Sequence, residues 1–301
     1  MNSDLRPEQG AIFDLSARTK LRVSGADRLR FLNGQITNDL RNANDSSALY
    51  ACVLNAKGKI NADIFITDAG ASFLLDADET LREQLPARLE RYVIADDVEI
   101  SDVTDEFAIL HVTGLNMPAA ADAIAAPRSA RFGYGGTDFW LSRGVYEARL
   151  KEWAAELPTC DADCAEAFRI ENGIPRWGHE LTQEIIPTEA NLDVAAISFD
   201  KGCYIGQEVI SRIKTSGQTN KRLCGLVAPR DGAVEPGMRL VSSDGKDVGW
   251  VTSVSASERL GKRIALGFVK RGFNDIGNNL QTQTPENERG TGVEIVQLPF
   301  A

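Results

Sequence analysis

Hydrophobic and polar positions alternate with a period of two along several short stretches in the first half of the chain. This alternation predicts strands over residues 20–23, 72–76, 97–103, 107–112 and 139–142. Two apolar runs, 48–54 and 60–66, flank a short loop with asparagine and glycine, which predicts a β-hairpin. Helical spacing predicts short helices over residues 26–32, 79–91, 119–125 and 146–157. The mixture lacks regular βαβ alternation, so it favours an α+β fold with antiparallel sheets covered by helices.

Beyond about Lys221 the pattern changes to short apolar runs separated by Gly, Pro, Asp and Ser. It predicts strands over residues 223–227, 238–241, 246–253 and 264–269, and no helix of useful length. We therefore expect residues 221–301 to form a separate, small all-β barrel or sandwich, and residues 1–220 to form the α+β region. The polar stretch 278–289 predicts a mobile loop.

Composition narrows the possible partners. The 301 residues include 33 Lys and Arg against 43 Asp and Glu, a net charge of −10, which argues against sequence-wide attraction to nucleic acid or anionic membranes. No apolar run approaches the roughly 18 residues of a membrane span. The N-terminal stretch has no apolar signal core, and the five cysteines are irregularly spaced, so we expect reduced thiols and a cytoplasmic protein.

The most unusual segment is Lys201-Gly-Cys-Tyr-Ile-Gly-Gln-Glu208. Residues 199–200 predict a strand end, and residues 205–214 a helix, with a glycine-rich turn between them. Cys203 would then lie close to a helix N-terminus, where the dipole and Lys201 favour a thiolate. It is either a reactive, ligand-contacting thiol or a small buried hydrophobe.

Basic residues concentrate around this segment. Between Lys201 and Arg222 five basic residues stand against Glu208 alone, a local charge of +4 in an acidic chain. This basic segment indicates either a site for an anionic small molecule or partner, or a solvated loop between two domains.

Glu171 ends a predicted helix, because Gly173-Ile-Pro175 must interrupt it. A carboxylate held at a rigid helix end can accept two parallel hydrogen bonds from a planar N–H edge, such as that of a pterin ring. The alternative is that Glu171 is a capping or ion-pairing residue.

Other kinds of site find little support. Cys160 and Cys164 form a single CxxxC without a second Cys or His pair, so a four-ligand zinc site is not expected. The chain has only two histidines, His111 and His179, which excludes a histidine-rich metal site. No glycine-rich phosphate-binding motif opens a helix.

The segment 201–208 resembles the signature octapeptide of the YgfZ-type folate-binding proteins, a branch of the glycine-cleavage T-protein (aminomethyltransferase) superfamily. Supporting stretches are Phe31-Leu-Asn-Gly-Gln-Ile-Thr-Asn-Asp39, Leu54-Asn-Ala-Lys-Gly-Lys-Ile-Asn-Ala-Asp63, Arg169-Ile-Glu-Asn-Gly173 and Ile186-Pro-Thr-Glu-Ala190. The octapeptide is specific to the branch, whereas the other stretches are shared across the superfamily.

The resemblance implies a three-lobed fold, with two mixed α/β lobes and a C-terminal barrel, that binds tetrahydrofolate or another reduced folate at its centre. It implies that Glu171 holds the pterin edge. Further folate-binding candidates are Lys201, Tyr204, Gln207 and Arg212; among them, Lys201 and Arg212 would serve the glutamate tail or the thiol. The family supports assembly or repair of iron–sulfur proteins, including radical enzymes that modify tRNA, so any connection with nucleic acid is indirect. No metal site is implied.

One position separates this chain from the aminomethyltransferases, which carry an acidic pair where it has Ala62-Asp63. Either the catalytic carboxylate is missing or Asp63 supplies it. Three functions stay open: an iron–sulfur maintenance factor with Cys203 as key residue, a folate-dependent aminomethyltransferase or demethylase using Asp63, and a protein-binding scaffold with a vestigial folate pocket.

Overall fold

The computed structural model describes residues 7–114, 118–284 and 289–300, which form two compact units. The two-sheet unit takes the described part of residues 2–161 together with residues 193–211. The barrel unit takes residues 162–192 and the described part of residues 212–301. The chain therefore enters each unit twice.

The two-sheet unit contains ten strands and three α-helices among its described residues. The strands are β1 Ala11–Asp14, β2 Thr19–Ser24, β3 Leu49–Leu54, β4 Ile60–Asp68, β5 Phe73–Ala77, β6 Glu99–Asp102, β7 Phe107–Thr113, β8 Arg128–Ser129, β9 Gly136–Ser142 and β10 Thr159–Cys160. The helices are α1 Arg28–Gln35, α2 Gln84–Glu90 and α3 Arg143–Trp153. None of the helices in the described ranges is long and apolar enough to cross a membrane.

The first sheet has the strand order β10-β1-β7-β9-β8. Every residue of β7 is buried, as expected for a central strand covered on both faces. α3 packs on this sheet, where the Trp153 and Phe139 ring centroids lie 4.9 Å apart. The sheet is mixed rather than purely antiparallel, because the short edge strand β10 pairs parallel to β1.

The second sheet has the order β3-β4-β5-β2-β6, and all its pairings are antiparallel. β3 and β4 form the predicted hairpin. Its loop is closed by the Asn55 side chain, which accepts hydrogen bonds from the backbone N–H of Lys57 at 2.9 Å and Lys59 at 3.1 Å. Gly58 has a positive φ of 73°, which an L side chain rarely adopts.

Two local predictions in this unit are wrong. Residues 119–125 form no helix: the segment ends by pairing with β9, because Ile124 N–H donates to Trp140 O at 2.8 Å and Trp140 N–H donates to Ala125 O at 2.9 Å. Residues 199–200 lie in bends rather than at a strand end. Their segment is held instead by irregular contacts such as Ser198 N–H to Thr37 O at 3.0 Å.

The barrel unit has six strands in its described residues, and they close into a barrel of order β11-β14-β13-β12-β15-β16. The strands are β11 Lys221–Ala228, β12 Arg239–Val241, β13 Asp247–Ser257, β14 Lys262–Lys270, β15 Asn279–Gln283 and β16 Arg289–Val296. Helix α4, Ala162–Glu171, contacts β13 and β14. Helix α5, Gln207–Ser216, spans the boundary at residues 211–212 where the chain passes from one unit to the other.

The barrel confirms the predicted C-terminal fold, but the prediction of a mobile loop over residues 278–289 is wrong where the structure describes it. β15 lies between β12 and β16 and completes the barrel. Its sequence is mostly polar, but one side of the strand faces the core: Leu280 and Thr282 are buried, whereas Asn279 and Gln281 are exposed. Residues 285–288 of the stretch lie outside the described residues.

Candidate functional site

The register of the second sheet places a row of polar and aromatic side chains on one face. Cys52 lies directly opposite Asp63, and Phe65 lies opposite Tyr50 on one side and Asp76 on the other. Lys20 lies opposite Asp76. Directly opposite residues share a face, as do residues two apart on one strand. We call this set the polar face: Lys20, Tyr50, Cys52, Asp63, Phe65 and Asp76. The central part of the other face is apolar and buried, with Leu21, Ala51, Val53, Ala62, Ile64, Ile66 and Leu75.

Asp63 is the least satisfied acid of the polar face. It is 8% exposed. Its Oδ2 accepts a hydrogen bond from the Tyr50 hydroxyl at 3.1 Å, whereas its buried Oδ1 has no hydrogen-bond partner. Burial raises the pKa of Asp63, and the charge of Arg18 opposes that shift. A buried acceptor without a donor is rare in native proteins, so Oδ1 points to a missing partner with an N–H or O–H group.

The neighbours of Asp63 are held in their neutral forms. Burial and the negative charge of Asp63 raise the pKa of the Tyr50 phenol and of the Cys52 thiol well above their usual values. The Cys52 backbone N–H donates to Thr37 Oγ1 at 2.8 Å, which fixes the strand beside the thiol. The two side chains next to Asp63, Tyr50 and Cys52, are therefore uncharged, and Arg18 acts on Asp63 through its charge without forming an ion pair.

A buried ion network joins the polar face to the first sheet. Arg131 donates to both oxygens of Asp76, at 2.9 and 2.6 Å, and to both oxygens of Asp138, at 3.0 and 2.9 Å. Its guanidinium also lies 3.9 Å from the Phe65 ring centroid. Burial favours the neutral acid at Asp138, but Arg131 and His111 outweigh it and lower the pKa of Asp138 to about 2. Asp76 and Asp138 are thus satisfied acids, unlike Asp63.

The segment 201–206 presents one thiol to solvent. Cys203 is the one exposed cysteine of the chain, since the structure describes all five and Cys52, Cys160, Cys164 and Cys224 are buried. Cys203 lies four residues before the first residue of α5 rather than within its first turn. Lys201, two residues earlier, is buried and donates hydrogen bonds to three backbone carbonyls.

The other residues expected around this segment occupy different environments. Tyr204 is buried, which raises its pKa to about 12, and its ring centroid lies 5.2 Å from Lys201 Nζ. Gln207 is half-buried at the start of α5, and Arg212 is exposed on the same helix. Within the segment 201–206 both Lys201 and Tyr204 are therefore buried, and the exposed Arg212 lies outside it on α5.

Glu171 lies in the barrel unit, at the predicted end of α4. It is half-buried, and its Oε1 accepts a short hydrogen bond from the Ser257 hydroxyl of β13. Its backbone carbonyl accepts a hydrogen bond from Phe300 N–H at 2.9 Å. Gly173, with φ of 68°, follows two residues after this helix end, so Glu171 is held through its carboxylate by Ser257 and through its backbone by Phe300.

A chain of hydrogen bonds connects two of the predicted site residues within the two-sheet unit. Lys201 Nζ donates to Asn38 O at 2.6 Å, and Asn38 Nδ2 donates to Tyr50 O at 2.9 Å. The Tyr50 hydroxyl then donates to Asp63. Glu171 and Arg212 belong to the barrel unit, whereas Cys203, Tyr204 and Gln207 belong with Asp63 and Lys201 to the two-sheet unit.

Sequence reasoning missed Arg18, Tyr50, Asp76, Arg131 and Ser257. An acid inside an apolar strand was visible at Asp76 and Asp138, and such acids need a buried partner. The arginine that both acids share, Arg131, lies in neither of their strands, so the sequence pattern does not identify it as their partner.

Comparison with known proteins adds the family. Residues 6–136 match the GCVT N-terminal domain, and residues 221–301 match the glycine cleavage T-protein C-terminal barrel domain. An aminomethyltransferase of Saccharopolyspora erythraea is 28% identical, over 96% of this chain and 86% of the relative. An aminomethyltransferase of Staphylococcus haemolyticus is 24% identical, over 92% of this chain and 83% of the relative.

The fold agrees with that family. The crystal structure of glycine cleavage system aminomethyltransferase T from Bartonella henselae aligns with a TM-score of 0.86 at 19% identity, covering 97% of this chain and 86% of that one. The likeness confirms the predicted T-protein-like α+β architecture with its C-terminal barrel. With both domain matches in the expected order, the chain belongs to the glycine-cleavage T-protein superfamily.

Proposed function

We propose that this protein binds a reduced folate and, through Cys203, supports assembly or repair of iron–sulfur proteins, including radical enzymes that modify tRNA. The observation that carries the proposal is the single exposed thiol on a segment fixed at both ends. A fold that buries four of its five thiols and anchors the residues around the fifth favours a working role for that fifth thiol. Reduced thiols suit the cytoplasm.

The residues present fit a folate. A pterin offers N–H and NH₂ donors, and each unit has one candidate carboxylate with capacity to accept them: Glu171, at the end of α4 in the barrel unit, or Asp63, with its unpartnered Oδ1, in the two-sheet unit. Arg212 lies within the basic segment, which suits the negative glutamate tail. When bound, tetrahydrofolate would supply an acceptor for one-carbon units; the chain's own groups bind and orient it.

Cys203 is better suited to contact iron–sulfur proteins as partners than to hold a cluster in this protein. One cysteine supplies one cluster ligand, and a complete cluster site takes four. No group of three or more His, Cys, Asp or Glu arranged for a metal occurs among the described residues. An exposed thiol with basic residues following it suits transient contact with a client protein, which we expect to be the partner.

The test is complementation of a null strain, read as the activity of an iron–sulfur enzyme. Cys203→Ser should abolish rescue while the purified variant keeps the wild-type unfolding temperature, because an exposed side chain contributes little to stability. Cys224→Ala, which removes a buried thiol and keeps the position apolar, is the control and should rescue. Full rescue by folded Cys203→Ser would refute the role of Cys203.

The second candidate is folate-dependent one-carbon transfer at Asp63, as in an aminomethyltransferase or demethylase. The unpartnered Oδ1 and the raised pKa favour it, since both are typical of a carboxylate that accepts a proton or an N–H group. Formation of methylene-tetrahydrofolate from aminomethyl or methylamine donors should then occur, and Asp63→Asn should abolish it. Absence of product across a panel of donors would exclude this activity for those donors and leave the Cys203 role standing.

A further inference from the structure

Lys201 lies at the C-terminal end of α1. The last carbonyls of a helix have no partner within it and carry the negative end of its dipole. Lys201 Nζ donates to Asn33 O at 2.7 Å, to Ile36 O at 2.8 Å and to Asn38 O at 2.6 Å. The lysine therefore caps the chain where it leaves the helix.

These contacts use the whole hydrogen-bonding capacity of the side chain. An ammonium group has three protons, and here each has a backbone carbonyl as acceptor. Lys201 is 5% exposed. Burial lowers the pKa of Lys201 to about 8 and the charge of Asp39 opposes that shift, so the ammonium form predominates at pH 7; Asp39 is itself held by Arg41 Nη2 at 2.6 Å. Lys201 thus has no donor left for a folate carboxylate.

The residues after Lys201 have a second anchor. Ile205 N–H donates to Gly34 O at 3.3 Å, so the segment returns to the same helix end. Gly206 has φ of 85°, and a Cβ there would lie 2.6 Å from Asn55 O of the hairpin loop. Between the two anchors, Gly202 and Cys203 are exposed.

We propose that Lys201 is a positioning residue, which fixes the conformation of residues 201–206 and so holds the exposed Cys203 thiol in place, and that it does not contact the ligand. This inference rests on the proposed function in so far as Cys203 is the working thiol. It reassigns Lys201 from the folate-binding set to the support of the thiol.

Lys201→Met tests the proposal, because it keeps the side chain up to the position of Cε and removes the ammonium. Amide hydrogen exchange of Ile205, whose N–H donates to Gly34 O, should become about tenfold faster, since the segment loses the three hydrogen bonds of Lys201. A nitroxide attached to Cys203 should show a rotational correlation time about threefold shorter. Lys201→Arg, which keeps charge and donors, should restore most of the order. Lys214→Met, on α5, is the control and should change neither measurement.

Folate affinity separates positioning from ligand contact. The ratio of affinities for tetrahydrofolate with one and with three glutamates should be the same in Lys201→Met and wild type. A selective loss of the triglutamate preference, or unchanged exchange and label mobility in folded Lys201→Met, would overturn the proposal. If Lys201→Met does not fold, Lys201→Gln, which keeps two donors, is measured by the same criteria. Rescue by Cys203→Ser would refute the proposed function. The exchange and label measurements would still test whether Lys201 orders the segment.

Discussion

Two buried carboxylates, Glu180 in the barrel unit and Asp63 in the two-sheet unit, differ in how completely they are satisfied. Glu180 is fully buried and accepts four hydrogen bonds within 3.1 Å. The donors are the hydroxyls of Thr252 and Ser253, the Arg169 guanidinium and the Arg176 backbone N–H. Asp63 accepts one, from Tyr50, and its Oδ1 accepts none.

The difference separates an acid that holds the fold from an acid available for chemistry. Glu180 connects α4, the segment after it and β13, so its hydrogen bonds stabilise the barrel unit. Asp63 is retained in a buried position at an energetic cost that the Tyr50 hydrogen bond and the charge of Arg18 offset only in part. Such a cost is typical of a functional residue.

The largest effect is expected at Glu180. Glu180→Ala removes four hydrogen bonds and the partner of the buried Arg169 Nη1, and should lower the free energy of unfolding by about 3 kcal/mol. Urea unfolding followed by tryptophan fluorescence, to which Trp250 in β13 contributes, measures it. Glu258→Ala, at an exposed ion pair with Arg230, is the control and should change stability by less than about 0.5 kcal/mol. Equal losses in the two variants would contradict the structural role of Glu180.

At neutral pH Asp63→Asn should raise the free energy of unfolding, whereas Glu180→Ala lowers it. Burial raises the pKa of Asp63 above 3.8, so the contribution of this acid to stability is present below 3.8 and is lost as the pH rises through the folded pKa. The uncharged variant should therefore be more stable than wild type at pH 7, by about 1.5 kcal/mol. Thermal unfolding between pH 7 and pH 4 should show this advantage shrinking as the pH falls. A destabilised variant at pH 7 would show that Asp63 is satisfied after all.

Removing one hydroxyl that donates to each carboxylate sharpens the comparison. Thr252→Val leaves Glu180 three donors and should cost about 1 kcal/mol. Tyr50→Phe leaves Asp63 none and should cost a similar amount at pH 7, while raising the pKa of Asp63 further. Carbonyl NMR titration of Asp63 in wild type and Tyr50→Phe measures that shift, and an unchanged titration would mean that the Tyr50 contact does not form.

The smallest effect on stability is expected at Cys203. Cys203→Ser should change the free energy of unfolding by less than about 0.5 kcal/mol, because the side chain is exposed. The same substitution should remove the fast-reacting thiol from a titration of the native protein with Ellman's reagent. Persistence of a fast thiol in the variant would show that a cysteine placed in the interior is accessible in solution.

Local patterns predicted most of the fold. The hairpin of β3 and β4, the end of α4 at Glu171 and the barrel followed from apolar periodicity and from the positions of glycine and proline. The helix prediction for the alanine-rich stretch 119–125 failed because pairing with β9 overrode helix propensity. The loop prediction for β15 failed because only alternate residues of this polar strand face the core.

The site was less accessible to such reasoning. Cys203 and Glu171 carried local signals, a motif and a helix end, whereas Asp63 entered through resemblance alone. The polar face depends on the register of strands distant in sequence, such as β3 beside β4 and β5 beside β2. The role of Lys201 depends on a helix end more than 160 residues earlier, which no local pattern contains.

The central claim is that this member of the T-protein superfamily binds a reduced folate, and anaerobic calorimetric titration with tetrahydrofolate tests it most directly. Wild type and Glu258→Ala should bind saturably with equal affinity. Glu171→Ala should bind about tenfold more weakly or worse, because it loses charge-assisted hydrogen bonds. No saturable binding by the folded wild-type protein would contradict the claim and would leave the scaffold function, in which the ligand of the fold has been lost.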